Sequence, residues 1–517
     1  MSNWAGGYMA DIPYTHGFYR ELTPSLMRLC AVLSGVQPPE GERAAQGPAF
    51  NYCELGFGQG LTACLLASAN SRAQFYGTDF NPDHLLTARG ASRAASLTNA
   101  HWFDDGFDEF NRRDLPQFDY VVMHGIYSWV NEPTRQQIRD FLRQRLRPGG
   151  MVYLSYNTLP GWAATSGLRQ MLFEYATHHV PASMPPTERI DHALRYLERL
   201  RTAGSKYFGG SQDATARLLG LTTLDRTYLV HEFLNEAWTP FYSRAIAGQM
   251  REAKLGFIGS GNVHDHFDAL CFSGDALKLI QETADPTLRQ TTRDYLLNTT
   301  FRRDLFSRGT RPLSSAERTR LLLDTRFALA SLPNRISKTL TVPIGEINLN
   351  EGFLNALIGS LGEGPKTLRA LTTEAALKAQ GLNGILQMLA ALIGAGDVLP
   401  CVPESEYDTA AAQRFNLALA EQAIEGGQWW LFASPLTGSG LAVNRLQQLF
   451  VAARARGHTQ SEGWARFAFD QIYPQGQRVT VEGKTLEKPE DNLNELRSLA
   501  KSFEQHLLPL LKMHGAL

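Results

Sequence analysis

The residues best suited to chemistry sit close together near the start of the chain. Glu54 stands two positions ahead of Gly56-Phe57-Gly58-Gln59-Gly60, and an isolated acid, Asp79, follows. Glycines admit left-handed turns and let a ligand approach the backbone. A helix beginning after them offers free N–H groups to a polar ligand. The spacing is G-x-G-x-G and not the G-x-G-x-x-G of dinucleotide sites. An acid before the glycines repels a pyrophosphate but suits a ligand bearing an amino group and a sulfonium. S-adenosyl-L-methionine has both and is the expected cofactor. A glycine cluster alone would also fit a structural turn; the register of strand, turn, helix, strand and acid argues against that.

The elements around these residues read as an α/β fold. Short strands are expected at Phe50–Leu55, Gln74–Thr78, His101–Phe103, Phe118–Met123 and Met151–Tyr156, with helices at Leu61–Ala69 and Arg135–Leu146. Arg147-Pro148-Gly149-Gly150 reads as a helix stop. In open α/β sheets ligands sit beyond the carboxyl ends of the strands, which places Gly56, Asp79, Asp104, His124 and Tyr156 along one crevice.

His124-Gly125-Ile126-Tyr127-Ser128-Trp129-Val130, Ser155-Tyr156-Asn157-Thr158-Leu159-Pro160-Gly161-Trp162 and Asp11-Ile12-Pro13-Tyr14-Thr15-His16-Gly17-Phe18-Tyr19 are the segments that carry a family likeness, joined by His231-Glu232-Phe233-Leu234-Asn235. Through them the chain resembles class I S-adenosylmethionine-dependent methyltransferases that carry a methyltransferase regulatory domain. The likeness covers most of the chain and is sharpest before residue 165. It implies a Rossmann-like sheet followed by mainly helical regulatory and C-terminal domains. Among such relatives are bacterial protein-lysine methyltransferases of outer-membrane proteins.

Position and resemblance together assign roles. Glu54 is expected to order the methionyl amino group, and Gly56, Gly58 and Gly60 to admit it to the backbone. Asp79 should accept from the ribose hydroxyls, Phe80 stack on adenine, and Asp104 or Asp105 accept from the adenine amino group, Asp105 being the more exposed of the two. His124, with an ordinary pKa near 6.5, is the expected base. Tyr127 and Trp129 would wall the acceptor channel, Trp162 serving less, while Tyr156 and Asn157 orient the nucleophile. Aromatic residues after strands also close cores, which is the plainer alternative for these. Tyr14, Thr15 and His16 would form a lid. No metal is expected. His231-Glu232 lacks the second histidine of H-E-x-x-H, with Asn235 in its place, and reads as helix polar groups in internal hydrogen bonds. His264-Asp265-His266 reads as a polar loop.

With 517 residues and a formal net charge of -1, the chain has room for several domains and no electrostatic case for nucleic acid or an anionic membrane. Five scattered cysteines argue against a disulfide framework, and no signal pattern or apolar run of ~20 residues is present. A cytoplasmic setting is expected. The domain reading is a methyltransferase domain over 1–185, a helical regulatory domain over 186–335, a winged-helix-like module over 336–408 and a helical C-terminal domain over 409–517. Gly384–Ile393, the third helix of the winged-helix-like module, has no Lys or Arg, so DNA contact is not expected. The last helix aligns Leu496, Leu499, Phe503 and Leu507 as a core or homodimer face. The leading functional expectation is methylation of a protein side chain, lysine above all. The alternatives are a small-molecule or saccharide methyltransferase and a non-catalytic cofactor-binding scaffold.

Overall fold

The computed structural model describes residues 17–39 and 48–517. Helix α1 (Pro24–Leu33) precedes an alternation of strands and helices: β1 (Asn51–Leu55), α2 (Leu61–Ala69), β2 (Gln74–Thr78), α3 (Pro82–Ala94), β3 (Ala100–Phe103), α4 (Phe107–Arg112), β4 (Phe118–Met123), α5 (Glu132–Arg145) and β5 (Leu146–Asn157). These five strands are parallel. Successive residues enter opposite layers: Tyr52, Tyr120, Val122 and Tyr153 pack in one core, Cys53, Val121, Leu154 and Tyr156 in the other. Burial on both faces explains why β4 is apolar along nearly its whole length.

The sheet has seven strands in the order β3-β2-β1-β4-β5-β7-β6. Its last two, β6 (Gly256–Ser260) and β7 (Phe301–Ser307), are antiparallel additions. This corrects the boundary at residue 185: strands from the stretch read as a helical regulatory domain complete the catalytic sheet. The signal was hidden because β7 reads Phe-Arg-Arg-Asp-Leu-Phe-Ser. Its charges are internally matched. Arg302 donates to Asp294 at 2.7 Å and to Asp304 at 3.0 Å, and Asp304 accepts from the Tyr156 hydroxyl at 2.6 Å.

Helix α2, which follows the glycine turn, is buried at every position. A helix apolar all round needs cover on every side, and the C-terminal region provides it. Helix Ala410–Gln422 and the hairpin Leu431–Ser434/Ser439–Ala442 pack on α2. Asn70 donates to the Gly438 carbonyl at 3.0 Å, and Ser25 to that of Thr437 at 2.7 Å. Ser434 to Gly438 form the turn of this hairpin, strand structure within a region read as helical.

The remaining helices follow the periodicity. Ile190, Ala193, Leu194 and Leu197 share a separate helical core with residues up to Leu234. Ile385 to Ile393 is largely buried in the main core. Leu496, Phe503 and Leu507 are buried within the chain, with Phe503 against Phe450 and Trp464, so this stripe is core and not a free face. Among the described residues no helix is long and apolar enough to cross a membrane.

A chain ending at Pro185 should therefore misfold. It bares the β5 edge and the whole outer surface of α2, and unpaired edges invite aggregation. The expected outcome is insoluble protein where the full chain is soluble; a soluble, monomeric fragment with native-like circular dichroism would contradict it.

Candidate functional site

Strand order reverses between β1 and β4, and at that switch point the carboxyl ends of both strands frame a cavity of about 240 Å³. The turn after β1 forms its floor. Gly56, Gly58 and Gly60 have φ of +77°, +56° and +81°. A Cβ at Gly60 would come within 2.6 Å of the Ala88 Cβ, and one at Gly56 would collide with Ile126. At Gly58 it would meet nothing within 4 Å. Two glycines thus let the turn close against its neighbours, while the third leaves open space beside the backbone.

Glu54 lines this cavity at 3% exposure. Among the described residues its buried Oε2 has no hydrogen-bond partner. Burial, and secondarily the charge of Asp79, push its carboxyl up to about 8. Asp79 is buried at the end of β2 and braces the turn. Its Oδ2 accepts from the Gly58 N–H at 2.8 Å, and its Oδ1 accepts from the Asn81 N–H at 3.1 Å and lies 3.0 Å from His84 Nδ1. A carboxylate has about four acceptor positions, so capacity for ligand hydroxyls remains.

Phe80, Asp105 and His124 also line the cavity. Asp104 does not; it is exposed, while Asp105 is half-buried and paired with Arg113 through a 2.7 Å hydrogen bond. The expected order of exposure of these two acids is therefore reversed. His124 hydrogen-bonds through Nδ1 to the Tyr153 hydroxyl at 3.0 Å, and its ring stacks on Tyr19 at 3.8 Å. Burial, with the nearby Arg303 charge, pushes His124 down to about 3. It is neutral at physiological pH and a poor proton acceptor, which overturns the argument from its ordinary pKa.

The other acceptor-side residues separate. Trp129 lines the cavity, but Tyr127 is fully buried, donating to Gln249 at 2.8 Å and accepting from Arg139 at 3.1 Å. Tyr156 points to the opposite face of the sheet, where Asp304 holds its hydroxyl. That follows from strand alternation, since its neighbours Ser155 and Asn157 take the other face. Asn157 does not line the cavity; its backbone N–H donates to Ser128 Oγ at 2.9 Å. Trp162 packs edge-on against Trp238. Tyr14, Thr15 and His16 lie outside the described residues.

Residues missed by sequence reasoning complete the walls: Tyr19, His84, Ile126, Asn131, Thr134 and Gln137. One signal was available, because Asn131 caps α5 by accepting from the Thr134 N–H at 3.0 Å, so this helix begins at the cavity. Among the described residues no group of three or more His, Cys, Asp or Glu side chains is arranged to hold a metal ion.

An orphaned, buried carboxyl beside open glycine backbone fits a ligand that brings its own ammonium, and it opposes a phosphate. The comparisons agree with that chemistry. Residues 53–152 match a family described as a methyltransferase domain, and residues 225–308 match one described as a predicted methyltransferase regulatory domain. An uncharacterized protein of Synechocystis sp., sll1526, is 39% identical over 514 residues, covering 99% of both chains. A Rickettsia prowazekii protein, RP789, is 26% identical over 256 residues, covering 49% of this chain and 44% of that one. The structure of PKMT2 from Rickettsia typhi in complex with AdoHcy has the same fold, with a TM-score of 0.69 at 18% identity over 95% of this chain and 98% of that one. The chain belongs to the methyltransferases that carry a methyltransferase regulatory domain. It is an S-adenosylmethionine-dependent enzyme.

As the expected partner of the cofactor's ammonium, the raised Glu54 carboxyl should make cofactor affinity depend on pH. An ammonium pairs with the carboxylate form, so binding below about pH 8 would first have to expel a proton. Calorimetric affinity for S-adenosylhomocysteine should rise from about pH 6 to about pH 8, by up to about tenfold per unit. Glu54→Gln should flatten that rise and weaken binding near pH 8 by about 1.5–3 kcal/mol. A pH-independent wild-type affinity would show that Glu54 does not meet the ligand.

Proposed function

We propose that this enzyme methylates protein side chains, with lysine amines as acceptors. S-Adenosylmethionine supplies an electrophilic methyl on a sulfonium, and transfer is an in-line displacement for which the protein must align, desolvate and deprotonate. In this reading Glu54 takes the methionyl ammonium, and Gly56, Gly58 and Gly60 let the backbone close on it. Asp79 receives the ribose hydroxyls, and Phe80 and Asp105 flank the base. His124 acts as a neutral wall group and not as a base, with Tyr19 stacked on it and Trp129 nearby.

The observation that carries the protein-acceptor reading is the correspondence with PKMT2 over 95% of this chain, which extends past the sheet into the appended segments. The family resemblance to protein-lysine methyltransferases points the same way.

The test is transfer of a tritiated methyl group to protein extract from source cells lacking the gene, followed by acid hydrolysis. Label should appear in protein and be recovered as methyl-lysine. Label confined to the low-mass or saccharide fraction would refute the protein reading, and cofactor binding without any transfer would indicate a scaffold.

A further inference from the structure

Beyond the carboxyl end of β5 lies a cluster of buried hydrogen-bond donors that no acceptor meets among the described residues. Arg169, on the helix Ser166–Glu174, is 4% exposed. Its guanidinium lies over the rings of Phe173 and Trp238, 5.0 Å and 5.1 Å from their centres. Among the described residues it forms no ion pair. It donates through Nη2 to the Asn235 carbonyl, and its buried Nε is unmatched. Burial pushes the group down to about 10, while Glu232 acts on it through space without an ion pair. A buried charge lacking a counterion is unfavourable and calls for one.

Two indoles extend the cluster. Trp162, 6% exposed, meets Trp238 edge to face with ring centres 5.0 Å apart. The Nε1 of each is buried, and among the described residues neither has a hydrogen-bond partner. Arg217 lies 5.5 Å from the Trp162 ring centre. Three unmatched donors thus share one run of ring contacts, with a second cation at its end. Leaving such donors unmade is costly and calls for a partner. Trp238 and Arg217 are half-buried, so the cluster reaches the surface through them.

The cluster adjoins the end of the sheet that frames the cofactor cavity. Trp162 donates its backbone N–H to the Thr158 carbonyl, just past β5, at 3.2 Å. Thr239, next to Trp238, donates to the Ser128 carbonyl and Phe241 to that of Asn157, both at 2.9 Å. At this junction the buried Asn157 carries a further unmatched donor, Nδ2. Trp129, the neighbour of Ser128, lines the cofactor cavity, whereas Arg169, Trp162 and Trp238 do not. A group held by these three sits beside the cofactor and not on it.

The donors select that group. They offer positive charge and N–H hydrogens, and none of them accepts. A lysine ammonium, cationic and donor-only, is excluded, and a peptide carbonyl would leave the charge uncompensated. A carboxylate supplies both the negative charge and about four acceptor positions. We propose that Arg169, Trp162 and Trp238 form a recognition subsite for a carboxylate of the acceptor protein, an Asp or Glu side chain a few positions from the methylated lysine. This rests on the lysine reading above. The subsite takes no part in the displacement; it holds the acidic neighbour so that the lysine amine reaches the cofactor. Charge complementarity of this kind sets specificity and register. The enzyme therefore prefers lysines in acidic surroundings.

The test uses the same cell extract, methylated by wild type, Trp162→Phe or Arg169→Met, with the methyl-lysines located by mass spectrometry. For wild type, lysines with an acidic residue close by in the chain should be methylated about tenfold more often than the others, as a charge-assisted hydrogen bond implies. Trp162→Phe keeps a ring and removes one donor, and should cut that preference about threefold. Arg169→Met should abolish it. Its melting temperature should be no lower than that of wild type, because an uncompensated buried charge has gone. Calorimetric affinity of both variants for S-adenosylhomocysteine should stay within about twofold, as expected of side chains outside that cavity. Methyl-lysine formed by wild type without bias toward acidic neighbours, or a bias that both variants keep, would overturn the subsite and leave the lysine reading standing. Succinate binding to wild type by calorimetry, again without that bias, would give the donors to a free carboxylate and overturn it too. An Arg169→Met variant melting well below wild type would show the guanidinium already compensated within the fold, with the same consequence. A wild type that labels no lysine overturns both.

Discussion

A carboxyl group at the end of β1, buried with one oxygen unmatched among the described residues, sets the terms for the catalytic half of this molecule. Taking an acid out of water without a partner is unfavourable, and the Glu54 carboxyl responds by holding its proton to about pH 8. The arrangement makes sense once a cationic group arrives to share the burial. The neighbouring features serve that encounter. The glycine turn opens backbone beside the carboxyl, and Asp79 braces the turn through the Gly58 N–H. Helix α2 is held rigid by cover on every side. A phosphate-bearing ligand would meet the wrong charge here, so one acid separates this crevice from the dinucleotide sites that share its fold.

The appended regions belong to the catalytic unit. The hairpin after Leu431 and the helix before it are the outer wall of α2, and so support the start of the cofactor turn from behind. The regulatory stretch enters twice, through β6 and β7 in the sheet and through the segment from Thr239 to Phe241, which hydrogen-bonds to Ser128 and to Asn157 at the carboxyl end of β5. A change in how this stretch packs would be felt at His124, whose neutrality depends on Arg303 of β7 as well as on burial. That gives the regulatory stretch a physical route to the chemistry.

The sequence was most legible where local pattern and chemistry coincide. The strand, glycine turn, helix, strand and acid from Asn51 to Asp79 have the boundaries that spacing implies, because each element is short, apolar and punctuated by glycine or an acid. Of the residues expected to meet the cofactor, those that line the cavity follow strand ends or the glycine turn, where topology dictates position. Acceptor-side residues could not be placed that way. Tyr127, Tyr156 and Asn157 follow strands too, but which face each side chain takes depends on alternation and on distant partners, Gln249 and Asp304 among them. The seventh strand was hidden by Arg302, Arg303 and Asp304, charges that only the folded chain matches. The pKa of His124 was misjudged for the same reason: its value is set by burial and by a residue 179 positions away in the chain.

The most direct measurement is a crystal structure of the complete chain with S-adenosylhomocysteine bound. The account predicts the ligand's amino nitrogen within about 3 Å of Glu54 Oε2, its ribose at Asp79 and its sulfur facing His124. A ligand seated with its amino group elsewhere, leaving Glu54 Oε2 still unmatched, would contradict it.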